Sequence, residues 1–390
     1  MNYYHALNLI RLAISENKAP MDSDVCERQY EFFNKHAIAP LIASQHFFSC
    51  DNSDIKKAWK EALYSNIYTY SNLVNVQNQI LDMFKANNIL VVVVKGTSAA
   101  KYYPKPQLRT MGDIDLLVKP DSYERAIKCL MDVGCVEMTN QEDEDRVRHK
   151  SFNFSGYEIE LHRFFSSKSM SNNEAKVLDE LLFNAIPDND TVLPDIENGL
   201  VLLSHIKQHL KMGIGLRQII DWFMFVKSCL DDEMWYASFQ EKARVTGLER
   251  LAITSTRMCQ IYLGLTTNIT WCKDADEEVC TDLMQYVMDC GNFGRSRDIL
   301  QSGSTGKLPS IIHPIQLLKY IQSHGERNWP ALKKHPNLKP FAWIYQINRF
   351  AMKAIKHNIG LKKIGDIYSE KNERKKMLNQ FGLQTDGFEE

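Results

Sequence analysis

The hydrophobic period of the chain changes twice. Residues 5 to 86 carry apolar side chains at helical spacing, as in Leu7, Ile10, Leu12 and Ile14 and again in Trp59, Leu63, Ile67 and Tyr70, and predict several helices. Ile89-Leu90-Val91-Val92-Val93-Val94 is then a short, continuous, β-branched apolar run, as expected of a central strand covered on both faces. Residues 97–103 suit one or two helical turns, which Pro104 and Pro106 bring to an end. Asp113-Ile114-Asp115-Leu116-Leu117-Val118 alternates, and Asp121-Ser122 opens a helix that runs to about Met131 and closes at Gly134. Past a charged stretch, 141–150, the segments 152–156 and 157–162 read as two further strands. From about residue 173 onward the period is helical, as in 200–210 and 216–226.

These elements predict a helical region over 1–86, a small α/β core over 87–165 and a helical domain over 166–390. Composition narrows the class. With 390 residues, 44% of them hydrophobic, and Lys+Arg 47 against Asp+Glu 48, the chain is neither fibrous nor disordered. A net charge of -1 denies it the electrostatics of a nucleic-acid coat, so nucleic acid is not the expected partner and any polyanion site is local. Nine cysteines without metal-type spacing read as reduced thiols, and the N-terminus has no secretory pattern, so a cytoplasmic protein is expected. No apolar run is long enough for a transmembrane helix, which needs about 20 residues.

The chemistry concentrates on two of the predicted strands. Asp113 and Asp115 stand two apart and project to one face, and Glu158, Glu160 and His162 share a face by the same rule. Carboxylates gathered that closely need a cation among them, and hard divalent ions choose carboxylate oxygens. Upstream, Lys95-Gly96-Thr97-Ser98 turns a strand into a helix, where backbone N–H groups and two hydroxyls can meet an anion. Arg109 adds a donor fork for phosphate, or for a salt bridge to one of the two aspartates.

Taken together, Lys95-Gly96-Thr97, Arg109, Gly112-Asp113-Ile114-Asp115-Leu116-Leu117-Val118 and Glu158-Ile159-Glu160-Leu161-His162 resemble the uncharacterised bacterial nucleotidyltransferase family of the polymerase-beta-like superfamily. The resemblance implies an α+β fold, a nucleotidyltransferase core with a mixed sheet embedded in a mostly helical chain. It implies Asp113, Asp115 and Glu160 as catalytic ligands of Mg2+ or Mn2+, and a nucleotide site at Lys95, Gly96, Thr97, Ser98 and Arg109. The implied reaction moves an NMP group from an NTP such as ATP to an unidentified acceptor, with pyrophosphate leaving. Thr97 stands where the superfamily usually has Ser or Gly, and the interval from Gly96 to Asp113 is slightly long.

The resemblance continues through Ser204-His205, Lys207, His209, Arg217-Gln218-Ile219-Ile220-Asp221 and 291–294. His205 and His209 share a helix face without the glutamate of a zinc-protease motif, and are expected to line the cleft together with Glu158, His162, Arg217 and Asp221. Arg217 and Asp221, four apart, would form an exposed pair worth about 0.3–0.5 kcal/mol. Residues 333–376 hold twelve Lys or Arg against three acids, a net charge of +9, with Trp343, Tyr345, Phe350 and Ile355 interleaved. That segment is either a packed helix with a solvated basic face or a peripheral membrane contact. A non-catalytic scaffold that keeps the fold and a membrane-peripheral transferase of surface-glycan assembly are the alternatives to a small-molecule enzyme. The oligomeric state is not legible.

Overall fold

The computed structural model describes residues 3–17, 19–49, 52–138, 148–167, 170–266, 268–291, 321–322, 325–326, 329–333, 335–356, 379 and 381. They divide between two compact units, Met1–Gly294 and Arg295–Glu390.

The first unit is α+β. Helices α1 (Tyr4–Ile14), α2 (Ser23–Lys35) and α3 (Ala39–Gln45) precede the 34-residue α4 (Ser53–Ala86). Two four-residue strands, β1 (Ala19–Asp22) and β2 (His46–Ser49), pair in parallel between them, so the N-terminal region is not purely helical as its periodicity predicts. The Asn52 side chain caps α4 by accepting from the N–H groups of Asp54 and Ile55 at 3.0 and 3.3 Å. At the other end Asn88 takes a positive φ of 52° and the Ile89 N–H returns to the Phe84 carbonyl at 3.0 Å. Ile89 is thereby held in the cap, and β3 begins at Val91 and ends at Val94.

A five-stranded mixed sheet follows in the order β3-β4-β7-β6-β5, with β4 Asp113–Val118, β5 Val136–Glu137, β6 His149–Phe154 and β7 Tyr157–His162. Among the described strands of this sheet, β4 and β7 pair in parallel and the other neighbours antiparallel. The β6–β7 hairpin turns at Ser155-Gly156, both at positive φ, as a tight two-residue turn requires. The short α5 (Gly96–Ala100) follows β3, and α6 (Tyr123–Asp132) follows β4.

Period two sorts the sheet into unlike faces. Val91, Val93, Ile114, Leu116, Val118, Phe152, Ile159 and Leu161 form one core with Leu73, Val76, Ile80 and Phe84 of α4 and Ala126, Ile127 and Leu130 of α6. The opposite face carries Asp113, Asp115, Glu158, Glu160 and His162. Over it lies a helical half comprising α7 (Asn172–Asn184), α8 (Asp195–Met212), α9 (Leu216–Cys229), α10 (Asp232–Met234), α11 (Gln240–Val245), α12 (Glu249–Leu263) and α13 (Glu277–Cys290). The Asn198 amide on α8 donates to the Ser98 carbonyl and the Tyr102 hydroxyl at 2.9 and 3.0 Å, tying α8 to the turn after β3. Cys129, Cys135, Cys229, Cys259, Cys272 and Cys280 are free thiols.

In the second unit α14 (Ala342–Lys356) follows the turns Pro330–Lys333 and Pro336–Phe341. Phe341, Trp343, Ile344, Ile347 and Met352 are exposed, and Trp329 stacks on Tyr345. Much of the basic stretch 333–376, including 357–376, lies outside the described residues, as do 141–147 of the charged segment and 292–294. Among the described residues no helix is long and apolar enough to cross a membrane.

Candidate functional site

Parallel pairing in register sets Asp113 opposite Glu158, Asp115 opposite Glu160 and Leu117 opposite His162. Asp115 is buried and is the centre of the cluster: its Oδ1 accepts from Lys95 Nζ at 2.5 Å and lies 2.9 Å from His162 Nε2. His162 Nε2 is also 3.3 Å from Glu160 Oε2, and Lys95 Nζ is 4.0 Å from the same oxygen. One donor atom each from Asp115, Glu160 and His162 falls within 4.8 Å of the others.

The protonation states follow from this crowding. Burial works against charge on Lys95, but Asp115, Glu160 and Asp113 outweigh it and raise its pKa. Burial would also lower that of His162, and its hydrogen bonds to Asp115 and Glu160 raise it instead. For Glu160 burial acts upward, and the His162 hydrogen bond with the Lys95 charge brings its carboxyl below the usual range. Asp113 goes the other way, raised first by repulsion from Asp115 and then by burial.

The turn that delivers Lys95 is strained. Lys95 has φ 57° and ψ -139°, and Gly96 follows at φ 37°. A lysine in such a glycine-favoured region costs about 1–3 kcal/mol and persists only where its surroundings hold it. Here the Asp115 ion pair holds the side chain, and the Ser98 hydroxyl holds the Lys95 carbonyl at 2.8 Å.

These groups open on a cavity of about 380 Å3, a size suited to a small-molecule site. Lys95, Gly96, Asp113, Asp115, Glu160 and His162 form the sheet side. His205, Gln208 and His209 from α8 and Arg217 from α9 face them, and Arg109, Arg148, His149 and Phe165 complete the wall. The His205 and His209 rings meet edge to face at 4.5 Å. Burial pushes His205 well below its ordinary pKa and takes His209 down to about 4, so both are neutral at pH 7. A family model described as an uncharacterised nucleotidyltransferase matches residues 25–264, a span that contains every residue of this cavity.

The chain belongs to that nucleotidyltransferase family. No curated protein and no solved structure matches it. The buried acidic and histidine cluster fits a nucleotidyltransferase, and its donor set of carboxylate oxygens with one imidazole suits a divalent cation. The Lys95 ammonium already sits on Asp115, so a metal ion there would compete with it.

Three of the expected nucleotide contacts are held elsewhere in this family member. The Thr97 hydroxyl donates to Gln77 Oε1 at 2.8 Å, and Ser98 is bound to the Lys95 carbonyl and to Asn198 Oδ1. Arg109 lines the cavity, but Nε and Nη2 both donate to Asp221 at 2.8 Å, so its salt bridge is to neither Asp113 nor Asp115. Asp221 is buried and also accepts from the Tyr103 hydroxyl at 2.8 Å, which replaces the exposed Arg217–Asp221 pair expected from their spacing. Glu158 faces Asp113 across the strands without lining the cavity, and its carboxyl is raised by burial. Arg148, His149, Phe165 and Gln208 are additional wall residues. His149 pairs with His162 on β7, because β6 begins three residues earlier than the strand expected at 152–156.

Proposed function

We propose that the chain transfers a nucleoside monophosphate from an NTP to an acceptor with release of pyrophosphate. The observation that carries this reading is the register of β4 on β7, which sets Asp115 beside Glu160 on the floor of a cavity whose opposite wall is cationic and imidazole-bearing. Asp113, Asp115 and Glu160 are the residues that would hold one or two Mg2+ or Mn2+ ions. Such ions, when bound, neutralise charge on the transferring phosphoryl group and activate the attacking oxygen.

The chain's own residues do the rest. Lys95 offers a point charge to the phosphates, and Gly96, without a side chain, lets them approach the backbone. Thr97, Ser98 and Asn198 fix that turn against α4 and α8. His205 and His209 stay neutral and close the cavity from the helical side. Phosphoryl transfer rests almost wholly on positioning and charge, which is what this arrangement supplies.

Incubation with each NTP labelled at the α-phosphate, with Mg2+ or Mn2+ and a panel of hydroxyl and amine acceptors, is expected to release unlabelled pyrophosphate and label one acceptor. Asp113→Ala and Asp115→Ala are expected to abolish that transfer. Full activity in either variant would remove the metal-ligand assignment. A second reading, transfer at an anionic membrane surface, is favoured by the exposed Phe341, Trp343, Ile344, Ile347 and Met352 on and beside α14. It requires sedimentation with anionic liposomes at low salt and release at high salt.

A further inference from the structure

Of the three guanidinium groups on the wall of the cavity, Arg109, Arg148 and Arg217, the first and the last stand in opposite electrostatic circumstances. Arg109 is fully neutralised: Asp221 takes both arms of its fork in a buried pair that Tyr103 completes. Arg217, one turn before Asp221 on α9, is at the spacing where it would be the natural partner, yet Asp221 is committed to Arg109.

Among the described residues Arg217 has a single hydrogen bond, from Nη1 to the Thr110 carbonyl at 2.8 Å, and no carboxylate within ion-pair distance. Its Nε is buried without a partner. Burial and the Arg109 charge push its pKa down, and the smaller opposing effects of Asp221, Asp113 and Tyr103 do not offset them. It also occupies the first turn of α9, where the helix dipole opposes a cation. The Gly215 and Leu216 N–H groups at that end are taken by Gln218 Oε1 and His36 Nδ1, each at 3.2 Å, so an incoming anion would meet the guanidinium and not the backbone.

An arginine keeps its charge under all these conditions. A part-buried cation that burial, a like charge and a helix dipole all oppose is costly to retain, and it faces the cavity beside Asp113. Among the described residues no carboxylate pairs with it, and a planar fork left open on a cavity wall suits an anion with several oxygens.

We propose that Arg217 is a polyphosphate-binding residue of this cavity, and that Arg109 and Tyr103 are positioning residues that hold Asp221 away from it. The identification of the anion as the triphosphate of a nucleotide rests on the function proposed above. The guanidinium site itself does not, because any polyphosphate would occupy it.

The test uses inorganic tripolyphosphate on the full chain, by calorimetric titration and thermal unfolding in metal-free buffer, with wild type, Arg217→Met and Arg217→Lys. Wild type is expected to bind and to gain melting temperature on binding. Arg217→Met should bind roughly ten- to hundredfold more weakly, yet melt no lower than wild type when no anion is present, since it sheds an uncompensated charge. Arg217→Lys should recover part of the binding as a point charge. Equal binding by wild type and Arg217→Met, no binding by wild type, or an Arg217→Met protein already destabilised without anion would each overturn the proposal. If wild type binds tripolyphosphate through Arg217 but no NTP displaces it, the anion site stands and the nucleotide reading fails.

Discussion

Asp221 shows how one side chain decides the character of its neighbours. It neutralises Arg109, accepts from Tyr103 and leaves Arg217 without a carboxylate partner. Breaking a buried pair leaves an uncompensated charge, so Asp221→Asn or Arg109→Met is expected to destabilise the fold by about 3–5 kcal/mol in urea unfolding. Replacing both together should cost clearly less than the sum, and additive losses would show that the pair is not a unit. This contact was not legible in the sequence. The i to i+4 rule brings Arg217 and Asp221 together locally, whereas the partner that prevails lies 112 residues away. Asp113, Asp115, Glu160 and His162 were legible, because period two on a strand fixes their common side without any knowledge of the fold. His36 is a second residue whose part only the structure reveals. It is buried, accepts from the Leu216 N–H and has its pKa lowered by burial from 6.5 to about 3. The unfolded chain binds this proton first as pH falls, so the stability linked to His36 is fully present above about 6.5 and is lost on descending toward about 3. His36→Gln is expected to flatten the loss of stability with acid over that window, and an unchanged slope would show that His36 does not titrate as its burial implies.

Among the elements, the alternating and β-branched runs led directly to β3, β4, β6 and β7, and the Asp121-to-Gly134 signals led to α6. The four-residue β1 and β2 and the two-residue β5 are too short to establish a period, and their pairing is decided by tertiary contact. Packing between helices was equally silent in sequence. Gly199 on α8 is required by its neighbours: an added Cβ would lie 2.4 Å from Phe225 Cζ and 2.7 Å from Phe239 Cε2. Gly199→Ala is therefore expected to destabilise by about 1–3 kcal/mol despite its better helix propensity. It should also weaken nucleotide binding, since α8 and α9 carry His205, His209 and Arg217 to the cavity. Unchanged chemical denaturation would show that the two aromatic rings yield at little cost.

At the scale of the whole molecule, a chain with a net charge of only -1 sets carboxylates on the sheet side of one cavity and cations and imidazoles around them. Without metal, Lys95 and His162 satisfy Asp115 and Glu160, while Asp113 remains in repulsion with Asp115. Asp113→Ala removes that repulsion and should leave the fold intact, which makes it the cleanest probe of the central claim. The decisive measurement is calorimetric titration of each of the four NTPs into wild type and Asp113→Ala, with and without Mg2+. Magnesium-dependent binding of at least one NTP by wild type, lost in the variant, is the expected result. Folded wild type that binds no NTP in the presence of Mg2+, or a variant that binds as wild type does, would contradict it.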